Sequence, residues 1–225
     1  MFDTKYQYAI LKVNRYYTPY KFKKVETPKI TDFQDVKEFE IFLKSKIATY
    51  PNFPDPNVNF KDIQSILYDP ELSSETLHFL TELLPKDLAG DYAFNKIICF
   101  DARGFLFGFS LASVAFVPMV MARKPGKLPG EMVSQTFKKE YKADNGKKFE
   151  TIQIQKGLIN PGDRVLIHDD LLATGGTASA AAEIVKKCGA EIIGFHFVMD
   201  LTFLPGRSVL QKYVSDDRII SLVKY

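Results

Sequence analysis

The stretch "VLIHDDLLATGGTASAA", Val165–Ala181, decides how this chain is read. Its opening belongs to "DRVLIH" (163–168), an apolar run that predicts a buried strand, and residues 177–188 have the pattern of a helix. Between the two lie adjacent carboxylates, Asp169 and Asp170, and a turn of small residues, Ala173, Thr174, Gly175, Gly176 and Thr177. A turn that leads from a strand end into a helix N-terminus presents unpaired backbone N–H groups and the positive end of the helix dipole, which suit a phosphate. Gly175 and Gly176 remove side chains so that the backbone can close on the anion, and Thr174 and Thr177 add hydroxyl donors. The turn matches neither G-x-x-x-x-G-K-[ST] nor G-x-G-x-x-G, which disfavours nucleoside triphosphatases and Rossmann enzymes. Two aspartates aimed at a phosphate would repel it, whereas aimed at neutral hydroxyls beside it they make sense. A sugar phosphate offers that pair: its phosphate for the loop, its vicinal diol for Asp169 and Asp170. The competing reading has one aspartate capping the loop's own backbone.

Outward from this stretch, strands and helices alternate. "NKIICF" (95–100), "VPMVMAR" (117–123), "TIQIQ" (151–155) and "AEIIGFHFVMD" (190–200) read as strands, and "GFLFGFSLASVAF" (104–116) and "SSETLHFLTELL" (73–84) as helices. Lys186 and Lys187 in the last turn of the helix at 177–188, followed by Gly189, mark its C-terminus. The alternation predicts an α/β fold, an open, mostly parallel sheet flanked by helices on both faces. Ligands bind such sheets outside the carboxyl ends of the strands, so the loops after Phe100, Arg123 and His168 are the ones that matter. Residues 1–45, with prolines and a lysine cluster but no clear periodicity, read as an extension that wraps the body or a partner subunit, or as a solvated basic segment. Residues 46–225 form the domain. "PNFPDPNVNFKDI" (51–63) holds three prolines and reads as loop or extended chain.

Composition narrows the class. The chain of 225 residues, 46% hydrophobic and 25% charged, suits one globular domain with a substantial core. A net charge of +3 is too small to argue for nucleic acid. Two cysteines, Cys99 and Cys188, do not make a disulfide scaffold and point to a reducing compartment. No apolar run approaches the roughly 18 residues of a membrane span, and the N-terminus lacks a signal-peptide pattern, so the expected location is cytoplasmic, with no membrane partner.

The other two loops are cationic. "FDARGFLFG" (100–108) places Arg103, a planar fork of donors suited to pyrophosphate, beside Gly104, which permits close approach. "RKPGKLPG" (123–130) gathers Arg123, Lys124 and Lys127 among glycines and prolines. The segment from Gly130 to Thr151 is polar, lysine-rich and long, the mark of a lid inside a compact domain.

"VLIHDDLLATGGT" resembles the phosphoribosyl-pyrophosphate (PRPP) motif of type I phosphoribosyltransferases. "DDLLATGGT", "ARGFLFG" and "RKPGKLPG" together resemble the adenine-specific branch of that family, over about residues 46–225 including "ISLVKY". The resemblance implies the type I phosphoribosyltransferase fold, with a small N-terminal hood and a flexible catalytic flap at about 130–150. It implies transfer of phosphoribosyl from PRPP to adenine, giving AMP and pyrophosphate with Mg2+ carried on the PRPP oxygens and water, by a homodimer. In this mapping residues 173–177 hold the 5′-phosphate and Asp169 and Asp170 the ribose. Ala102, Arg103, Gly104, Arg123, Lys124 and Lys127 hold the pyrophosphate, and an unusual peptide, cis in form, joins Asp101 to Ala102. The "EY" pair falls on Glu140, the acid facing the base, and Tyr141; with Arg103 these are the catalytic candidates. "PNFPDPNVNFKDI" supplies Phe60 to stack on the base, beside Asn59 and Lys61. Four positions depart from the family pattern: His168 replaces an aliphatic residue and reads as part of the strand, Asn57 replaces a glycine, and Asn59 and Lys61 replace an aliphatic residue and an arginine. The alternatives are a transferase for another purine, or a PRPP-sensing regulator without turnover.

Overall fold

The computed structural model describes residues 33, 35–56, 58–138 and 149–225, which fall within a single compact unit, Phe33–Tyr225. In chain order its elements are α1 (Val36–Lys46), β1 (Ala48–Pro51), β2 (Asn59–Asp62), α2 (Gln64–Leu67), α3 (Pro70–Glu82), β3 (Lys96–Phe100), α4 (Gly104–Val114) and β4 (Met119–Ala122). There follow β5 (Met132–Lys138), β6 (Phe149–Gln155), β7 (Arg164–Leu172), α5 (Gly176–Lys187), β8 (Glu191–Asp200), α6 (Gly206–Leu210) and β9 (Ile219–Lys224).

Five strands form an all-parallel sheet in the order β4-β3-β7-β8-β9. The central strands are apolar on both faces, as parallel strands covered on both sides must be; Ile97, Ile98 and Cys99 of β3 and Val165, Leu166 and Ile167 of β7 have no exposed surface. One core layer joins the sheet to α5 and to the β5–β6 hairpin, with Ile154, Ala181, Ile184 and Phe195 inside it. The other joins the opposite face to α1, α3 and α4 through Phe39, Leu80, Leu111 and Leu166. Helices on both faces of an open parallel sheet match the expected architecture.

Three details add to the sequence reading. The compact unit Phe33–Tyr225 takes in helix α1. Asp35 caps α1 by accepting from the Lys37 and Glu38 N–H groups, at 2.8 and 2.9 Å, and so places Phe39 and Leu43 one helical turn apart on a fully buried stripe. Phe39 stacks on Phe79 of α3 with ring centroids 4.4 Å apart. Two apolar residues among lysines and glutamates are a thin stripe, which is why the helix looked like part of an extension. Second, the lid segment is not loop from its start: Met132–Lys138 is a strand paired residue by residue with Phe149–Gln155. Third, β7 does not stop at His168. It runs to Leu172, pairing Asp169 with Phe197 and Leu172 with Asp200, so the carboxylates stand on the strand itself.

Candidate active site

The carboxyl ends of β3, β4 and β7 open into a cleft of about 210 Å³. From β3 come Asp101, Ala102 and Arg103; from β4, Arg123 and Lys124; from β7, Asp169 and Asp170; from α5, Thr177; from the hairpin, Phe137 and Glu150. The topology thus brings the three loops singled out in the sequence to one place.

The acidic pair lies at the centre. Asp170 is 4% exposed and Asp169 is partly buried at the cleft wall. Asp169 Oδ1 accepts the Asp170 N–H at 2.9 Å. Burial raises the Asp169 carboxyl well above the usual aspartate range, and the neighbouring charge of Asp170 raises it further. Burial also raises Asp170, with Arg103 acting against the rise. Arg103 Nε stands 3.0 Å from Asp170 Oδ2, yet among the described residues that oxygen takes part in no hydrogen bond, so the contact is an ion pair with the N–H aimed elsewhere. With Asp170 buried, Asp169 half-buried and Asp170 Oδ2 without a donor among the described residues, the pair is a costly place for two charges.

The Asp101–Ala102 peptide is cis. Gly104 opens α4 directly against the acidic pair: a Cβ there would lie 2.6 Å from Asp169 Oδ1 and 3.3 Å from its Cα, so any side chain at this position would push the Asp169 carboxylate aside. Gly175 caps α5 with φ of 79°, a left-handed conformation that favours glycine, and Gly176 packs under the Phe137 ring. Among the described residues no side chain caps α5, so its first-turn N–H groups have no side-chain acceptor there.

The cations are paired with carboxylates that the sequence did not single out. Arg123 Nε donates to Asp101 Oδ2 at 2.9 Å and its Nη1 to the Lys127 carbonyl at 3.3 Å. Lys124 Nζ stands 2.6 Å from Glu150 Oε1. Lys127 is exposed and does not line the cleft. The Arg103 guanidinium lies over the Phe60 ring, 5.4 Å from its centroid. Strand alternation turns Asn59 and Lys61 to the face opposite Phe60; Lys61 Nζ donates to Thr49 Oγ1 at 3.0 Å and lies 3.9 Å from the Tyr225 ring centroid. Glu140, Tyr141 and Asn57 lie outside the described residues. Asp101 lies inside "FDARGFLFG" and Glu150 near the end of the lid segment, but neither pairing is legible there; their partners are set by the sheet.

His168, expected to be a strand residue, is one, and it is fully buried in β7. Its Nδ1 lies 3.0 Å from Nδ1 of His196 on β8, whose Nε2 lies 3.1 Å from the Leu80 carbonyl of α3. The carbonyl requires a donor, so His196 carries its proton on Nε2, accepts on Nδ1, and leaves the Nδ1 proton to His168. His196 thereby satisfies a carbonyl in the last turn of α3. Burial lowers both rings, His168 well below 6.5 and His196 to about 4. Acid is therefore expected to destabilise the fold. The unfolded chain protonates near pH 6.5 and the native ring only near 4, so stability is full above pH 6.5 and lost on descending through that window. His196 alone accounts for about 3 kcal/mol by pH 4. Urea midpoints measured from pH 7.5 to 4.5 check this. His196→Gln keeps a donor for Leu80 without titrating and should flatten the acid slope; a slope unchanged in that variant counts against the assignment.

The described residues contain no helix long and apolar enough to cross a membrane. A family model, the phosphoribosyl transferase domain, matches residues 80–219. The adenine phosphoribosyltransferase of Phocaeicola vulgatus is 39% identical over 180 residues, 80% of this chain and 97% of that protein. Among solved structures, the adenine phosphoribosyltransferase of Thermoanaerobacter pseudethanolicus superposes with a TM-score of 0.72 at 38% identity, covering 85% of this chain and 100% of that one. The enzyme from Saccharomyces cerevisiae, crystallised with adenine and an imino-altritol bisphosphate, gives 0.71 at 35% identity, covering 83% and 99%. With the acidic pair, the arginine-bearing cis turn and the small-residue loop all at the carboxyl ends of one parallel sheet, this chain belongs to the adenine phosphoribosyltransferase family.

Proposed function

We propose that this protein transfers the 5-phosphoribosyl group of PRPP to adenine, releasing AMP and pyrophosphate in purine salvage. The observation that carries the reading is the juxtaposition of a donor-poor acidic pair with three cations, Arg103, Arg123 and Lys124, around one cleft. A ligand that suits it carries neutral hydroxyls beside a polyanionic group, as PRPP does with its ribose diol next to the pyrophosphate. The loop 173–177 takes the 5′-phosphate on the N-terminus of α5, so binding energy remote from the reaction places the anomeric carbon. Asp169 and Asp170 accept from the ribose hydroxyls, and their negative charge favours the positive character that the ribosyl centre gains as its bond to pyrophosphate breaks. Arg103, Arg123 and Lys124 leave their carboxylate partners for the departing pyrophosphate, with Lys127 and the backbone of 102–104 beside them. Magnesium travels with PRPP; the buried Asp170 Oδ2, which has no hydrogen-bond donor among the described residues, fits a neighbour bearing water or hydroxyl groups. When bound, the ion neutralises charge on the leaving group. Phe60 stacks on adenine, the main chain of 59–61 reads its edge, and Glu140, next to Tyr141, manages the proton on the ring.

The test is AMP synthesis from PRPP and Mg2+ with adenine, hypoxanthine or guanine. Adenine is expected to react and the others to be inert. Turnover with another purine alone would replace the base assignment, and PRPP binding without turnover on any base would favour a sensor.

An apolar face on α4 supports a homodimer. Phe109 and Phe116 are 65% and 90% exposed, and Val117, Pro118 and Met119 complete an apolar groove beside edge strand β4. A second copy of the chain suits this face, and light scattering should read twice the chain mass of 25.6 kDa. The free thiols of Cys99 and Cys188 agree with a reducing, cytoplasmic setting.

A further inference from the structure

The phosphate loop has a second wall that the sequence motifs do not include. The chain leaves β8 at Asp200, crosses Leu204–Pro205, and enters α6 at Gly206, which lies directly behind residues 172–175. A Cβ on Gly206 would collide with the Ala173 carbonyl oxygen and lie 2.7 Å from Leu172 Cδ1. A Cβ on Gly175 would lie 2.9 Å from the Gly206 carbonyl oxygen. The left-handed turn that aims the loop's N–H groups thus rests on the backbone of Gly206. Whatever holds Gly206 in place also sets the curvature of the loop.

The next residue does the holding. Arg207 Nη1 donates to Asp200 Oδ2 at 2.9 Å, its Nε to Asp216 Oδ1 at 3.1 Å, and its Nη2 to the Asp216 and Ile219 carbonyls at 3.3 and 2.8 Å. One planar side chain therefore ties the end of β8, the turn before β9 and the first residue of β9 to the start of α6. Asp200 is 1% exposed and sits in register with Leu172, the last residue before the loop. The clasp closes a ring: Leu172 to Asp200 across the sheet, Asp200 to Arg207 by ion pair, and Gly206 back onto Ala173 and Gly175. Arg207 itself does not line the cleft.

We propose that Arg207 is a positioning residue for the 5′-phosphate, acting through Gly206 on the loop 173–175. The proposal rests on the reading of that loop as the phosphate site. A side chain that only held the fold together would, when lost, weaken every ligand or none. One that sets this loop alone weakens the phosphate end and spares the pyrophosphate end, which is built from β3 and β4.

The experiment measures binding of ribose 5-phosphate and of pyrophosphate separately, by calorimetry, to the full chain and to Arg207→Gln, Arg207→Lys and Gly206→Ala. In Arg207→Gln the dissociation constant of ribose 5-phosphate should rise by about tenfold or more, as small misplacements at a binding site do, while that of pyrophosphate stays within about twofold. KM for PRPP should rise while KM for adenine does not. Arg207→Lys retains the charge opposite Asp200 but not the fork to both carbonyls, and should fall between wild type and Arg207→Gln. Gly206→Ala leaves the clasp and displaces the loop, and should show the same selective loss. Equal weakening of both ligands, or wild-type affinity for both in a folded variant, overturns the proposal. If Arg207→Gln fails to fold, Arg207→Lys and Gly206→Ala decide by the same criteria. A wild-type protein that binds pyrophosphate but not ribose 5-phosphate sinks the phosphate-loop reading itself, a result distinct from an unchanged variant.

Discussion

Replacing Asp169 and Asp170 together by asparagine should lower kcat/KM for PRPP by roughly 10²–10⁴-fold and, in the same protein, raise its resistance to urea at pH 7. In the proposed ribose contacts, the first effect is the loss of two charged acceptors for hydroxyls, each worth about 1.5–3 kcal/mol when the partner is ionised. It includes the negative charge that favours a positive ribosyl centre, so kcat should fall as well as affinity. The second follows from the cost of the pair in the native state. Burial and then the charge of Asp170 raise the Asp169 carboxyl, and burial raises Asp170 against the pull of Arg103. A carboxyl whose folded pKa lies above the unfolded value of 3.8 holds its proton more tightly when native, so stability is lost as pH rises through the raised value. Asparagine has no charge to bury, and its oxygen still accepts the Asp170-position N–H. Arg103, with its side chain 38% exposed, stays solvated without its partner. Steady-state kinetics and urea midpoints at pH 4 and 7 check both halves; the gain in midpoint should appear at pH 7 and shrink at pH 4. Wild-type kinetics in the double variant would end the ribose-clamp assignment.

Arg103→Ala should lower kcat/KM by roughly 10²–10³-fold, the usual effect of removing one donor aimed at charge that develops in the transition state. The side chain touches two parts of the site, the Asp170 carboxylate at 3.0 Å and the Phe60 ring at 5.4 Å. Its loss removes the influence that holds Asp170 down against burial, so the acid limb of the pH–rate profile should move upward. Arg103→Lys should recover little, because an ammonium neither forks to a pyrophosphate nor lies flat over an aromatic ring. The measurement is a pH–rate profile for wild type and both variants. A lysine variant with wild-type kcat/KM would show that a point charge suffices and that the planar geometry is irrelevant.

Much of the site was legible in the chain because it is local. The strands β3, β7 and β8 are continuous apolar runs, and each motif sits within a few residues of a strand's carboxyl end. Short spacing and hydrophobic runs therefore determined the parallel sheet, the small-residue turn at 173–177 and the identity of the acidic pair. What the tertiary structure alone decided involves partners far apart in sequence. Asp101 meets Arg123 across 22 residues and His168 meets His196 across 28, because β3 lies beside β4 and β7 beside β8. His196 reaches Leu80 across 116 residues, because α3 packs on the face of the sheet to which that ring points. The order β4-β3-β7-β8-β9 is set by which faces bury together, a property of the whole chain. Helix α1 belongs to the core for the same reason: its apolar stripe of Phe39 and Leu43 means little until α3 and β9 lie against it. Local sequence thus specified the chemistry at each strand end, and long-range packing specified which charges face one another across the cleft.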